Sequence, residues 1–111
     1  MTLTIDLENS SDPRTARISL TGDLDTAGGN LARRYVSGLI SAGRVDITVN
    51  LDSVGFLDSA GLASLIASLR LARDRGGDVI VETTNDRIRR VLEVTALAQV
   101  FKLQPATRAA A

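Results

Sequence analysis

The chain has 111 residues, of which 44% are hydrophobic and 23% charged, a composition typical of a single globular domain with one core. Thirteen basic residues balance thirteen acidic ones, and this zero net charge argues against a protein that binds nucleic acid through phosphate contacts. The sequence has no cysteine and no histidine, which excludes disulfides, thiolate metal sites and the commonest general base.

The sequence also bears on location. No apolar run approaches the length that a helix needs to cross a bilayer. Residues 1–8 alternate apolar with polar side chains and carry acids, which is not the pattern of a signal peptide. We therefore expect a cytoplasmic protein that contacts neither a membrane nor nucleic acid directly.

The spacing of apolar residues predicts the order of the secondary structure. Alternation at every second residue is typical of half-buried strands, and spacing by three and four residues is typical of helices. The pattern predicts, in order, strands over 3–7 and 16–20, a helix over about 27–41, a strand over 45–51, a helix over about 60–75, a strand over 79–81 and a helix that follows 83–86. Strands that alternate with helices form parallel units, and turn formers between the first two strands favour an antiparallel hairpin.

These elements predict an α/β fold. We expect one domain over 1–104, with a four- to five-stranded mixed, mostly parallel sheet, an N-terminal antiparallel strand and three to four helices. A last apolar segment ends near Leu103, and residues 105–111 are predicted to form a C-terminal tail. We detect neither a linker nor an internal repeat.

One stretch, residues 54–62, joins the most apolar predicted strand to the clearest helical pattern. Ser59 lies there between an acid, Asp58, and two small residues, Ala60 and Gly61. Its hydroxyl is suited to cap the helix, because the first four N–H groups of a helix lack partners within it. It is equally suited to present its oxygen to a visiting enzyme, and spacing alone leaves both roles open.

Catalysis by the chain itself has little support. Ser59 has no histidine to deprotonate it, and the glycines match neither the dinucleotide nor the P-loop spacing. Asp23, Asp25 and Asp58 are candidates to converge, because loops at the same ends of parallel strands often do. We interpret them mainly as turn and cap residues, with Asp25 or Thr26 capping the first helix; the alternative is a metal site made of oxygen ligands.

The helix after Ser59 lacks charges where a surface helix usually has them. The side opposite its leucine-rich stripe consists of small residues and one leucine: Ala60, Ser64, Ala67 and Leu71. One interpretation is a second buried face against a neighbouring helix. The other is a shallow apolar groove beside Ser59 where a partner docks.

Together these motifs resemble the STAS domains, and within them the anti-sigma factor antagonists of bacteria. Residues 22–25, Gly-Asp-Leu-Asp, are similar to that family's Gly-(Asp/Glu)-(Leu/Ile)-Asp segment. Residues 58–62, Asp-Ser-Ala-Gly-Leu, resemble its Asp-Ser-(Ser/Ala)-Gly-Leu signature. Residues 95–101 resemble its closing segment, although Ala96 stands where the family usually has glycine. The resemblance covers nearly the whole chain and implies a STAS-like fold.

The resemblance also implies regulation by phosphorylation. In such antagonists the serine at the position of Ser59 is phosphorylated by an anti-sigma factor that is also an ATP-dependent serine/threonine kinase. The unphosphorylated antagonist binds this partner and frees a sigma factor, and a phosphatase resets the cycle. The chain is then not an enzyme, needs no cofactor or metal, and is expected to be a monomer or weak dimer. The partner-binding residues are predicted to be Asp23, Asp25, Asp58, Ala60, Gly61, Ser64 and Leu71.

Two alternatives stay open. The first is a STAS-type subunit docked on the ATPase of a lipid or solute transporter. The second is a weak nucleotide-binding or nucleotide-hydrolysing protein that uses Asp23, Asp25 and a metal, although no lysine or arginine lies beside that loop.

Overall fold

The computed structural model describes residues 2–8, 10–94 and 102–104, which form five strands and three helices. The predicted α/β class, with four to five strands and three to four helices, is confirmed. The elements follow one another as β1 (Thr4–Glu8), β2 (Thr15–Leu24), α1 (Thr26–Ser41), β3 (Asp46–Leu57), α2 (Ser59–Asp74), β4 (Asp78–Glu82), α3 (Asp86–Val94) and β5 (Lys102–Gln104).

The strands form one sheet in the order β1-β2-β3-β4-β5. β1 runs antiparallel to β2, with Thr4 opposite Thr21, and the other three pairs are parallel. Parallel neighbours cannot be joined by a tight turn, so α1 and α2 serve as crossovers between β2, β3 and β4. The predicted antiparallel first strand on a mostly parallel sheet is confirmed.

The sheet has a core face and an open face, and the side chains of β2 alternate between them. Along residues 15–24 burial alternates strictly, so that Ile18 and Leu20 are buried whereas Arg17 and Ser19 on the other face are half-buried. Helices α1 and α2 contact each other and the core face. Burying a leucine or isoleucine contributes about 1.5–3 kcal/mol, so the aliphatic residues of this face hold both helices in place.

Strand β3 is longer than the sequence predicts. We expected it to end at residue 51, but it continues to Leu57. At two points β3 advances one residue more than β2: Ser19 and Thr21 pair with Asn50 and Ser53, and Gly22 and Asp23 pair with Val54 and Phe56. These β-bulges interrupt the alternation of buried and exposed residues. A prediction from periodicity alone therefore places the end of the strand too early.

The helix bounds agree closely with the sequence. The helices predicted over 27–41 and 60–75 run over Thr26–Ser41 and Ser59–Asp74. Gly76, with φ of +81°, follows α2 in the left-handed conformation that glycine adopts most readily. Within the described part of the chain, the longest helices are too short and too polar to span a membrane.

Two predictions fall on other parts of the chain. The closing segment, residues 95–101 with Ala96, and the C-terminal tail, residues 105–111, lie outside the described residues and stay predictions. Strand β5 is described and runs parallel to β4, with Leu103 opposite Val81.

Candidate functional site

Two neighbouring parallel strands end side by side, and each leads directly into a helix. Leu24 near the end of β2 pairs with Leu57 of β3, and α1 and α2 begin two residues later, at Thr26 and Ser59. The Asp58 N–H donates to the Leu24 carbonyl at 3.4 Å, which ties the two strand ends together. We call these strand ends and first helical residues, 23–26 and 56–59, the carboxyl edge.

Asp58, not Ser59, is the N-cap of α2. Its backbone is extended, and its Oδ1 accepts a hydrogen bond from the Gly61 N–H at 2.9 Å. Of the two roles that the sequence left open for Ser59, capping therefore belongs to Asp58, which agrees with the interpretation of this aspartate as a cap residue. The cap position falls one residue earlier, so the charged acceptor takes the cap and Ser59 becomes the first helical residue. Ser59 is exposed there.

The other two predicted aspartates lie on the same edge. Asp25 is the N-cap of α1, as predicted, and its Oδ1 accepts from the Gly28 N–H at 2.9 Å. Asp23 is half-buried at the end of β2. The sequence left a metal site at these aspartates open. Within residues 2–8, 10–94 and 102–104, the structure brings together no group of three side chains that could hold a metal ion.

In each helix a glycine near the N-terminus allows the backbone to lie in close contact with the end of β2. Gly61 is buried, and a Cβ there would overlap the Leu24 carbonyl oxygen. A Cβ at Gly28 would overlap the carbonyl oxygen of Asp23 in the same way. Gly61 was predicted to contact a partner, and its burial corrects that interpretation: it allows α2 to start in close contact with β2.

The side of α2 that carries Ala60 and Ser64 packs against α1. A Cβ at Gly29 of α1 would overlap Ser64 Oγ and lie 3.4 Å from the Ala60 carbonyl oxygen. Ser64 Oγ donates to that same carbonyl at 3.1 Å. Of the two interpretations left open for this face, the structure favours packing against a neighbouring helix at Ala60 and Ser64, and a partner contact there stays a prediction. Leu71, two turns further, is half-buried and packs against the core.

Phe56 is a surface residue that the sequence did not single out. It is 51% exposed on the carboxyl edge, three residues before Ser59. Strict alternation from the buried Val54 would turn Phe56 inward, but the bulge between them turns it outward. Only the interrupted pattern around Gly55 could have indicated this.

A shallow cleft of about 180 Å³ runs from Phe56 to α3. Its walls include Leu57 from β3 and Ile88 and Val91 from α3. Asp52 holds the start of α3 beside β3, because its Oδ1 accepts from the Thr84 N–H at 2.5 Å and from the Thr83 hydroxyl at 3.1 Å. The carboxyl edge therefore combines carboxylates with an adjoining apolar surface, which is lined by Gly55, Phe56, Leu57, Arg87, Ile88 and Val91.

A charged cluster on the open face was also missed by the sequence. Glu82 is fully buried and pairs with Arg17, and the Asn50 side-chain amide donates to Glu82 at 3.0 Å. The hydrogen bond with Glu82 raises the pKa of Arg17 above its ordinary value, although burial opposes the shift. Nothing local in the sequence pairs two residues that lie 65 positions apart. The cluster links β2, β3 and β4.

The fold and the carboxyl edge define a class of protein. It is a small α/β domain whose first strand is antiparallel and whose second crossover helix starts with an exposed serine behind an aspartate cap. The family model described as "Mlab, STAS domain" matches residues 7–105. The chain therefore belongs to the STAS domain family, which confirms the resemblance seen in the sequence.

The relatives and solved structures that match the chain include anti-sigma factor antagonists. The chain is 23% identical over 105 residues to the anti-sigma-B factor antagonist of Staphylococcus aureus (strain NCTC 8325 / PS 47), covering 95% of this chain and 97% of the relative. A crystal structure of an anti-sigma factor antagonist from Mycobacterium paratuberculosis has the same fold, with a TM-score of 0.81 and 22% identity over 95% of this chain and 87% of that one.

SpoIIAA, an anti-sigma factor antagonist of Bacillus, also shares the fold and has been solved in two states. Its unphosphorylated form gives a TM-score of 0.79 at 24% identity, covering 95% of this chain and 90% of that chain. Its phosphorylated form gives a TM-score of 0.73 at 24% identity, covering 95% of this chain and 93% of that chain. The chain is thus similar in fold to a protein that exists in both states.

Proposed function

We propose that the chain is an anti-sigma factor antagonist whose binding to its partner is switched off by phosphorylation of Ser59. The partner in this proposal is an anti-sigma factor that is also a serine/threonine kinase. The unphosphorylated chain binds it and frees a sigma factor, and a phosphatase restores the unphosphorylated chain. The similarity to anti-sigma factor antagonists supports this partner class.

The observation that carries the proposal is the position of Ser59. It is exposed at the first residue of α2, while the capping bond to Gly61 is made by Asp58. Because the helix does not depend on the serine hydroxyl, a kinase can modify that hydroxyl without removing the cap.

The chemistry in this proposal belongs to the partner. The kinase transfers the γ-phosphoryl group of ATP to Ser59 Oγ: the Oγ–P bond forms as the bond from phosphorus to the β–γ bridging oxygen breaks. ADP leaves, and the hydroxyl proton passes to a base of the kinase. This accounts for a chain without histidine and places the reaction in the cytoplasm, where ATP is available. The chain is a substrate rather than an enzyme.

Electrostatics gives the phosphate opposite effects on the fold and on binding. A phosphoserine adds about −1.5 to −2 charge at neutral pH. At the first residue of α2 this charge lies at the positive end of the helix dipole, so the fold accepts it without rearrangement. A partner surface fitted to the neutral hydroxyl meets this charge next to Asp23, Asp25 and Asp58 and is repelled.

The proposed contact surface follows the carboxyl edge. It includes the aspartates at 23, 25 and 58, the first turn of α2 at Ala60, and the exposed ring of Phe56. Phe56 supplies the large apolar side chain that interface centres commonly use as an anchor. Gly61 and Ser64 hold the start of α2 in place by packing against β2 and α1, whereas Leu71 packs against the core further along the helix.

A binding comparison of two Ser59 variants tests the switch. Ser59→Ala is expected to bind the kinase as the unphosphorylated wild type does, whereas Ser59→Asp is expected to bind about tenfold more weakly or worse, about 1.4 kcal/mol. The partner is first isolated from the native cell with the wild-type chain and then titrated with purified variants. Ser11→Asp, the same change in the exposed β1–β2 turn, is the control and is expected to leave affinity unchanged.

Equal affinities of Ser59→Asp and Ser59→Ala for the kinase would contradict the proposal. The transporter alternative makes a different prediction for the same experiment. It expects the isolated partner to be a transporter ATPase that binds wild type and Ser59→Asp equally well.

A further inference from the structure

The first strand, β1, forms an open edge of the sheet. It stands first in the strand order and pairs with β2 on one side, so within the described residues no strand lies on its other side. Such an edge presents backbone N–H and C=O groups to which another strand can bond. The pairing with β2 runs from Thr4 to Glu8 without a register shift, so β1 is regular along its whole length.

Strand β1 lacks the features that usually protect an edge. Edge strands commonly carry a lysine, a proline or a β-bulge, and residues 2–8 contain neither lysine nor proline. Leu7 is 44% exposed, although it lies directly opposite the fully buried Ile18 of β2. A regular edge with an exposed leucine favours pairing with a further strand.

The side chains of β1 form one apolar row and one polar row. Leu3, Ile5 and Leu7 share a face, and along this row the side chains change from buried to half-buried to exposed. The opposite face has threonine in the first half of the segment and acids in the second: Thr2, Thr4, Asp6 and Glu8. Both rows are therefore ordered along the strand.

The apolar row is complementary to a second copy of itself. When two copies of residues 2–8 are aligned antiparallel about Ile5, the two Ile5 side chains lie opposite each other. Leu3 of each copy then lies opposite Leu7 of the other. A shift by one residue would set these apolar side chains against polar ones, so the apolar row favours alignment about Ile5.

The polar row is complementary in the same alignment. Thr4 lies opposite Asp6 of the second copy, and Thr2 lies opposite Glu8. No two like charges are then directly opposed, whereas alignment about Asp6 would set two aspartates against each other. Glu8 is already paired within its own chain, because its Oε2 lies 3.1 Å from Arg17 Nε. One register therefore suits both faces of the strand.

We propose that two copies of this chain associate through antiparallel pairing of their β1 strands about Ile5. The contact is isologous, with a two-fold axis that passes beside Ile5. It joins the two five-stranded sheets into one continuous sheet. One pair of short strands buries less surface than a typical stable interface, so the dimer is weak and dissociates on dilution.

The dimer leaves both carboxyl edges open. β1 runs antiparallel to β2, and the two β1 strands run antiparallel to each other, so the two β2 strands also point in opposite directions. The two carboxyl edges therefore lie at opposite ends of the joined sheet, and each Ser59 stays accessible to its own partner. The inference goes beyond the proposed function and does not depend on phosphorylation of Ser59.

Disulfide trapping tests both the contact and its register, because the chain contains no cysteine of its own. Thr4→Cys and Asp6→Cys change exposed residues on the polar row. Position 4 of one copy lies opposite position 6 of the other, with Cα atoms about 4.5–5.5 Å apart, which a disulfide can span. Two copies of the same variant place their cysteines diagonally, about 7–8 Å apart, which is beyond the usual range.

The two variants are mixed in equal amounts with oxidised glutathione, and the linked species are identified by intact mass. Disulfides between Thr4→Cys and Asp6→Cys chains are expected to exceed the sum of the two like pairs by about tenfold. Random collisions would give equal amounts. In the control, Ser11→Cys in the exposed β1–β2 turn replaces Asp6→Cys and is expected to give no excess. Equal amounts, an excess of like pairs, or monomers alone would overturn the inference and leave the proposed function intact.

Sedimentation equilibrium supplies a second measurement that needs no cysteine. The average mass of the wild type is expected to rise with concentration from the monomer toward the dimer. Leu7→Lys places a charge beside Leu3 of the second copy and is expected to weaken association at least about tenfold, with an unchanged circular dichroism spectrum. Phe56→Lys, the same kind of change at an exposed residue away from β1, is the control and is expected to associate as the wild type does.

A wild type that stays monomeric up to about 1 mM would contradict the proposed dimer. Equal weakening by Leu7→Lys and Phe56→Lys would show that association does not use the β1 edge and would also overturn the inference.

Discussion

A single serine is able to cap a helix and to present its hydroxyl to a partner. Here the cap is Asp58, and the exposed hydroxyl belongs to Ser59. The carboxylate of Asp58 satisfies the N–H of Gly61, and the hydroxyl of Ser59 lies exposed beside it. The sequence predicted that a helix begins here but not which residue caps it, because both types are good caps. The structure decides the one-residue difference: the Asp58 backbone is extended, its side chain accepts from the Gly61 N–H, and the helix begins at Ser59.

The cap itself can be tested by stability. Asp58→Ala removes the acceptor of the Gly61 N–H and is expected to lower the free energy of unfolding by about 1 kcal/mol. Urea denaturation followed by circular dichroism measures this change. Asp58→Asn keeps an acceptor oxygen and is expected to recover most of the loss.

Asp74→Ala is the matched control for Asp58→Ala, because it removes an exposed aspartate from the other end of α2. An acid near a helix C-terminus opposes the helix dipole, so its removal is expected to be neutral or slightly stabilising, within about 0.5 kcal/mol. An equal loss in both variants would show that Asp58 acts as a general surface charge and not as a cap.

Phe56 offers a test of the contact surface that does not alter the charge. Phe56→Ala is expected to weaken binding to the kinase by about tenfold, because an exposed aromatic anchor is lost. The expected change in stability is small, under about 1 kcal/mol, since half of the side chain is already in water. Calorimetric titration and urea denaturation measure the two quantities separately.

Leu7→Ala provides the comparison for Phe56→Ala. Leu7 is 44% exposed, but it lies on β1 opposite Ile18, away from the carboxyl edge. Its replacement is expected to leave affinity for the kinase unchanged. If both variants lost affinity to the same extent, Phe56 would have no special place in the interface.

At the scale of elements, the start of α2 depends on a glycine in close contact with β2. Gly61→Ala places a Cβ on the Leu24 carbonyl oxygen, and because backbone cannot move aside cheaply we expect a loss of about 1–3 kcal/mol in the free energy of unfolding. Thermal denaturation measures this loss.

Gly38→Ala in α1 is the opposite case and serves as the control. Nothing lies within 4 Å of the position that its Cβ would take. Alanine is the better helix former, so this variant is expected to gain about 0.5–1 kcal/mol. A stabilised Gly61→Ala protein would contradict the close contact between α2 and β2.

The elements also show what periodicity can and cannot predict. The helices followed from their apolar spacing, because each buries one continuous stripe. The length of β3 and the outward turn of Phe56 did not follow, because the bulges shift the alternation twice within residues 50–56. The packing of Ser64 against Gly29 did not follow either, since it depends on the angle at which α1 meets α2.

At the scale of the whole molecule, the order of strands and helices was sufficient to predict the fold and to bring Asp23, Asp25 and Asp58 to one edge. The ion pair of Arg17 with Glu82 across the sheet was not predictable, because it joins residues that are distant in sequence. We expect phosphorylation of Ser59 to leave the fold unchanged, because the new charge would be added at a helix end on the surface.

The most direct test of the account is the fate of Ser59 when the chain, ATP and the partner kinase are mixed. Phosphopeptide mapping is expected to find one phosphate on Ser59 early in the reaction, together with loss of the complex on size-exclusion chromatography. Ser59→Ala is expected to remain bound to the kinase throughout. Release of the wild-type chain with Ser59 unmodified, or a complex that survives complete phosphorylation of Ser59, would contradict the central claim.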